Sequence, residues 1–268
     1  MKSFQKITLL ILCCLYSFLG KSQNIKYFQS FDAQRIAFED TGRGKPVLLL
    51  HGFINTGQNW RRTQLYKDLI AKSFRVIVPD LRGNGKSDKP HEDKFYQNEA
   101  EVQDVIGLMA SLKIKKYEVV GYSRGSIVAG KLLTMDKGIT KVVLGGMGQH
   151  FTNPNWERRI MFAEAFSGKA HLYPETAGAI KYAKSINADT IALGFLQKYQ
   201  PVTSPQDLGK YKHPVMIICG DEDLDNGDPK ILQTYFKNAT LKTVKGNHNN
   251  TYGTQPFADE VIRFLEDK

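Results

Sequence analysis

Apolar residues in this chain are gathered into short runs rather than spread evenly. Six of them, Val47–Leu50, Phe74–Val78, Tyr117–Val120, Lys141–Leu144, Val215–Cys219 and Thr240–Val244, have the length of a strand and little polar alternation. That pattern predicts parallel strands covered on both faces. Ahead of them, the segments Lys26–Gln29 and Arg35–Glu39 alternate and flank Asp32-Ala33-Gln34, which predicts a hairpin. Between the runs the period lengthens. Val102, Val105, Ile106, Met109 and Leu112 recur at helical spacing, as do Ile127, Val128, Lys131, Leu132 and Met135, and then Phe257, Val261, Phe264 and Leu265. Strands alternating with helices predict an α/β fold: a mostly parallel, doubly wound sheet of about eight strands with an N-terminal antiparallel hairpin at its edge.

One interval, at about 149–211, is too long for a simple crossover. It holds three helix-like pieces near Trp156–Phe166, Ala177–Ile186 and Thr190–Tyr199, punctuated by Pro154, Pro174 and Pro201. It reads as a helical insertion over the strand ends, too short for an independent core. The first residues differ again. Lys2 and Lys6 precede an apolar stretch from Ile7 to Leu19, then Gly20, Lys21, Ser22 and Gln23. This predicts a signal peptide at residues 1–22 and export to the periplasm or medium, with residues 25–268 as one domain. The stretch is short for a bilayer-spanning helix, so no stable membrane insertion is expected once it is removed. An uncleaved anchor is the alternative, because no small-x-small cleavage site stands out. Cys13 and Cys14 would leave with the segment, and a lone Cys219 at the end of an apolar run reads as a buried thiol.

Composition adds little beyond this. With 41% apolar and 24% charged residues the chain is an ordinary globular protein, not a disordered one. Of the net charge of +10, Lys2, Lys6 and Lys21 carry three units, leaving seven on a processed chain. The remaining Lys and Arg are scattered, which reads as solubility rather than a nucleic-acid surface. No dinucleotide loop or metal-ligand cluster is present, so neither cofactor nor metal is expected. The pattern fixes no oligomeric state.

The chemistry lies in loops after strands. Gly121-Tyr122-Ser123-Arg124-Gly125 follows a predicted strand and opens a predicted helix. Serine on so sharp a turn needs small neighbours, and the helix N-terminus favours developing negative charge. Serine also needs a base. In the order serine, acid, histidine, the base lies beyond the acid that follows Val215–Cys219, and His248 alone of the six histidines does. The acid must hold the other imidazole nitrogen. Gly220-Asp221-Glu222-Asp223 offers three carboxylates after that strand, and spacing does not choose between Asp221 and Asp223; Asp225 is less favoured, and Asp228 before Pro229 reads as a helix start. Acyl transfer also needs two backbone N–H groups aimed at the developing oxyanion. Arg124, after the serine, supplies one, and Phe53 in His51-Gly52-Phe53, after Val47–Leu50, supplies the other. His51 is then a structural histidine.

Taken with Asp80-Leu81-Arg82-Gly83-Asn84-Gly85-Lys86-Ser87 and Gly246-Asn247-His248, these motifs resemble the α/β-hydrolase family in order and spacing, from about Ile25 to the C-terminus. The resemblance lies with its Ser-His-Asp, esterase- and lipase-like branch, the insertion standing for the variable helical cap. It implies Asp223 as the acid, Phe53 and Arg124 as oxyanion positions, and Asp80 and Arg82 as residues that bond backbone. Haloalkane dehalogenases and many epoxide hydrolases carry an aspartate nucleophile, whereas this chain has Ser123. Cofactor-free haloperoxidase-like members share the triad, which implies perhydrolysis as a side activity. Arg124 departs from the small, apolar or amide side chain usual after the serine. It either binds an acidic substrate group or pairs with a carboxylate of the cap, the second being favoured. Asn247, Asn249 and Asn250 are also polar where relatives are often apolar.

The expected activity is hydrolysis of a small carboxylic ester or lactone through an acyl-enzyme, on a small-molecule substrate contacted by Trp156, Phe162 and Phe166 of the cap. Hydrolytic cleavage of a carbon–carbon bond in a diketone-like compound, and a weakly catalytic ligand-binding receptor, are the competing expectations.

Overall fold

The computed structural model describes residues 25–223 and 225–267; the expected signal peptide at residues 1–22 lies outside them. Eight strands form one sheet: β1 (Lys26–Gln29), β2 (Arg35–Thr41), β3 (Pro46–Leu50), β4 (Arg75–Pro79), β5 (Tyr117–Tyr122), β6 (Ile139–Gly145), β7 (Val215–Gly220) and β8 (Ala239–Val244). Their order across the sheet is β1-β2-β4-β3-β5-β6-β7-β8, with β1–β2 and β2–β4 antiparallel and every later pair parallel. The helices described are α1 (Gly57–Arg61), α2 (Gln64–Ala71), α3 (Ala100–Ser111), α4 (Arg124–Met135), α5 (Glu157–Glu164), α6 (Ala177–Ser185), α7 (Thr190–Lys198), α8 (Pro205–Leu208), α9 (Pro229–Thr234) and α10 (Gln255–Glu266).

The apolar runs are strands because each buries both of its faces. Leu48, Leu50, Val119, Val142, Leu144 and Ile217 pack on one side against α3, α4 and α9. Their alternate neighbours Val47, Leu49, Val120, Val143, Met216 and Ile218 pack on the other side against α2 and α10. Two-residue alternation thus divides each run between two cores, and each fully buried Leu, Ile or Val side chain contributes about 1.5–3 kcal/mol. The run Thr240–Val244 behaves differently. β8 is one edge of the sheet and is half-buried or exposed at every position, so burial on both faces does not hold there.

The cap insertion packs α5 and α7 together over the strand ends. Its small core, Phe166, Ala183, Ala192, Leu193 and Leu196, is completed by Ile54 and Tyr96 of the main layer, as expected of a segment too short to bury itself. Phe151 and Leu208, near the two ends of the 149–211 interval, are buried in the main core, so the interval rejoins that layer at both ends. The chain winds from β3 outward to β4 and then back past β3 to β5, and this reversal opens a crevice at the carboxyl ends of β3 and β5.

Candidate active site

Ser123 joins β5 to α4 with φ 53° and ψ −124°, a conformation that a non-glycine residue adopts only when its surroundings enforce it. The enforcement is visible in the flanking glycines. A methyl group on Gly125 would stand 2.1 Å from the Leu50 carbonyl oxygen, and one on Gly121 would stand 2.4 Å from that of Gly125. Ser123 N–H donates to Gly145 O at 2.8 Å, which fixes the turn to β6.

His248 follows β8 and brings Nε2 to 2.9 Å from Ser123 Oγ. Its Nδ1 lies 3.0 and 2.9 Å from the two carboxylate oxygens of Asp223, whose side chain is only 2% exposed. An ionised carboxylate only accepts, so Nδ1 carries the proton and Nε2 is left free to accept from the serine. Asp221 does not reach the imidazole. It takes a hydrogen bond from Gly246 N at 3.0 Å and pairs with Lys245 at 2.5 Å, tying the acid loop to the histidine loop from outside. Asp225 pairs with Arg158 at 3.4 Å, and Asp228 caps α9 by accepting from Lys230 N at 2.8 Å.

The loop after β3 lies against Ser123. A methyl group built on Gly52 would be 3.3 Å from Ser123 Cβ, so the backbone leading into Phe53 runs beside the serine. His51 holds this loop. Its Nε2 accepts from Leu81 N at 3.0 Å, and its Nδ1 therefore donates to Gly52 O at 2.9 Å. Burial pushes this imidazole below the usual histidine range and keeps it neutral. Asp80 bonds backbone, accepting from Gly57 N and Lys86 N at 2.7 Å each. Arg82 departs from the expectation of backbone bonding. It donates to Phe95 O but is fully buried against two carboxylates, Asp104 and Asp32. Cys219 is buried, which pushes its thiol up to about 12.

The alpha/beta hydrolase fold family matches residues 45–162. The structure of an esterase from Exiguobacterium antarcticum superposes with a TM-score of 0.75 over 90% of this chain and 99% of its own, at 19% identity. The chain has the α/β-hydrolase fold. Among curated proteins, this chain is 41% identical to Epoxide hydrolase 3 of Siraitia grosvenorii over 88 residues, 33% of this chain and 27% of that one. It is 27% identical to 2-hydroxymuconate semialdehyde hydrolase of Pseudomonas sp. (strain CF600) over 165 residues, 57% of this chain and 58% of that one. The match thus spans less than two thirds of either relative.

The Arg124 side chain does not pair with a cap carboxylate. Its Nη1 donates to Glu101 of α3 at 2.5 Å and its Nη2 to the Leu196 carbonyl of α7 at 3.0 Å, with both Arg124 and Glu101 about 5% exposed. The charge is answered by the first turn of a core helix, and only a backbone oxygen comes from the cap. Two cavities meet at Ser123. The larger, about 580 Å³, runs past Asn55, Tyr122, Tyr182 and Tyr252. The smaller, about 150 Å³, runs past Arg124, Ile127, Met147 and Trp156. Phe53 and Phe162 line both. Phe166 lines neither; it is buried in the cap core with its ring edge-on to Phe53 at 5.3 Å. Two neighbours of the histidine escape a motif reading. Tyr122 donates its hydroxyl to His248 O at 2.8 Å, and Asn226 donates to Gly146 O at 3.1 Å while standing 3.3 Å from His248 Nδ1. Tyr122 lies inside the serine motif at a position of free choice, and nothing in the sequence around Asn226 marks it. Among the described residues no group of His, Cys, Asp and Glu is placed to hold a metal, and no helix is long and apolar enough to cross a membrane.

Proposed function

We propose that this hydrolase cleaves a small carboxylic ester or lactone through an acyl-enzyme on Ser123. The observation that carries the reading is the unbroken chain from Ser123 Oγ through His248 to the buried Asp223. As Oγ bonds to the ester carbon, its proton passes to His248 Nε2, and the backbone N–H groups of Phe53 and Arg124 receive the negative oxygen. Collapse breaks the carbon–oxygen bond, and the departing alkoxide takes that proton from His248. Water then gives a proton to His248 and attacks the acyl carbon, and Oγ leaves with the proton returned. Epoxide opening, the activity named for one relative, fits these residues less well. Attack by Ser123 on an epoxide would leave an ether on the enzyme, which this machinery has no means to hydrolyse.

The test is a panel of nitrophenyl esters of increasing acyl length with the wild type and Ser123→Ala. An esterase loses activity by roughly a million-fold in the variant, the scale seen when a triad serine is removed. Full activity in Ser123→Ala would end the proposal. Export belongs to the same proposal and rests on the N-terminal basic and apolar pattern; N-terminal sequencing of the protein from its host would find processing near residue 22.

A further inference from the structure

The smaller cavity beside Ser123 is lined by three arginines, Arg124, Arg158 and Arg159, and by the amides of Gln197, Gln200 and Asn226, with no carboxylate on its wall. The three cations are not equally engaged. Arg124 is neutralised from behind by Glu101, and Arg158 pairs with the exposed Asp225 while its guanidinium lies over the Phe162 ring at 5.2 Å. Arg159 donates to the Pro154 carbonyl at 2.7 Å, and among the described residues no carboxylate lies within ion-pair distance of it. Burial draws its guanidinium below its usual value, as expected of a cation that has given up water without gaining a counter-charge. Two residues of the lining also carry unpartnered donors. Gln200, 5% exposed, has no partner for Nε2, and Arg124, 4% exposed, has none for Nε. Buried donors without acceptors are costly, and a cavity whose lining residues carry them beside a cation with no counter-charge is complementary to an anion.

We propose that this cavity is a carboxylate subsite: the substrate carries, a few atoms from the ester carbonyl held at Ser123, an anionic group received by Arg159 and the Gln200 amide. The proposal rests on the hydrolase reading for its position in the reaction but not for its ligand. The cavity's small volume restricts that end of the substrate to a short chain, and the larger cavity is left for the remainder. The substrate class is therefore a half-ester or carboxylated lactone rather than a neutral fatty ester.

Monomethyl glutarate and dimethyl glutarate differ by one carboxylate and form the test pair. In the full chain carrying Ser123→Ala, which separates binding from turnover, calorimetric titration is expected to show the half-ester bound at least about tenfold more tightly, the scale of one charge-assisted hydrogen bond. Adding Arg159→Gln at its half-exposed position should bring the two ligands to similar affinity, whereas Lys169→Gln, on the same cap but outside the cavity, should leave the tenfold preference in place. Equal binding of the two esters, or an Arg159→Gln loss of the same size for both, would overturn the subsite. Turnover by the wild type separates the two readings. Cleavage of both esters with no preference in binding removes the subsite and leaves the hydrolase. Preferential binding of the half-ester, with neither ester cleaved and Ser123 inert to a fluorophosphonate, removes the hydrolase and leaves the subsite.

Discussion

Replacing Asp223 with asparagine keeps the shape of the acid and removes its charge. In the native site the carboxylate stands 2.9 Å from His248 Nδ1 with its side chain 2% exposed. Two consequences follow. With an effective dielectric near 20, a unit charge at this distance stabilises the imidazolium by about 6 kcal/mol, roughly four powers of ten in rate. An amide can also present its NH2 to Nδ1, which moves the proton to Nε2 and leaves no acceptor for Ser123. Asp223→Asn is therefore expected to lower kcat on a nitrophenyl ester by about ten-thousand-fold, with KM changed little and the rate of fluorophosphonate labelling falling in parallel. Asp221→Asn is the control, because Asp221 bonds Lys245 and Gly246 outside the site, and its kcat should stay within a few-fold of wild type. An Asp223→Asn protein that kept a tenth of its activity, or an Asp221→Asn protein that lost as much as Asp223→Asn, would refute the assignment.

Three further outcomes can be measured. Arg124→Met leaves the backbone donor but strands Glu101, so urea unfolding should show a loss of about 3–5 kcal/mol, and the double variant Arg124→Met/Glu101→Leu should recover much of it. His51 has its folded-state pKa lowered by burial, so its share of stability is full above about pH 6.5 and shrinks as the pH falls below that; thermal unfolding should show this slope in the wild type and a shallower one in His51→Asn. Trp156→Ala opens the wall of the smaller cavity, and the optimum acyl length among nitrophenyl esters should move upward; an unchanged optimum would mean the acyl group lies elsewhere.

The sheet was legible because strands buried on both faces must be apolar at nearly every position, and Val47–Leu50 through Val215–Cys219 are. β8 was legible as a strand but not in its burial, since edge position is decided by what fails to pair with it. The serine and histidine could be read from loops that follow strands. The acid could not be chosen by spacing, because Asp221 and Asp223 share one turn, and the bond from Asp223 N to Gly220 O, with the Lys245 pairing of Asp221, decides which faces inward. Arg124 found its partner 23 residues back on α3, a contact that only the packing of two core helices creates. Phe166 and Arg159 show the same limit within the cap, whose helices revealed their apolar faces but not the direction of each side chain. Phe166 turned into the cap core, and Arg159 turned to the cavity.

The most direct measurement of the central claim is the site of covalent capture. The full chain is treated with a fluorophosphonate, digested, and its peptides are mapped by mass spectrometry, alongside a sample quenched during turnover of a nitrophenyl ester. A single adduct on the peptide carrying Ser123 is expected in both, slowed in His248→Ala and absent in Ser123→Ala. An adduct on another residue, or ester turnover that proceeds undiminished in Ser123→Ala, would contradict it.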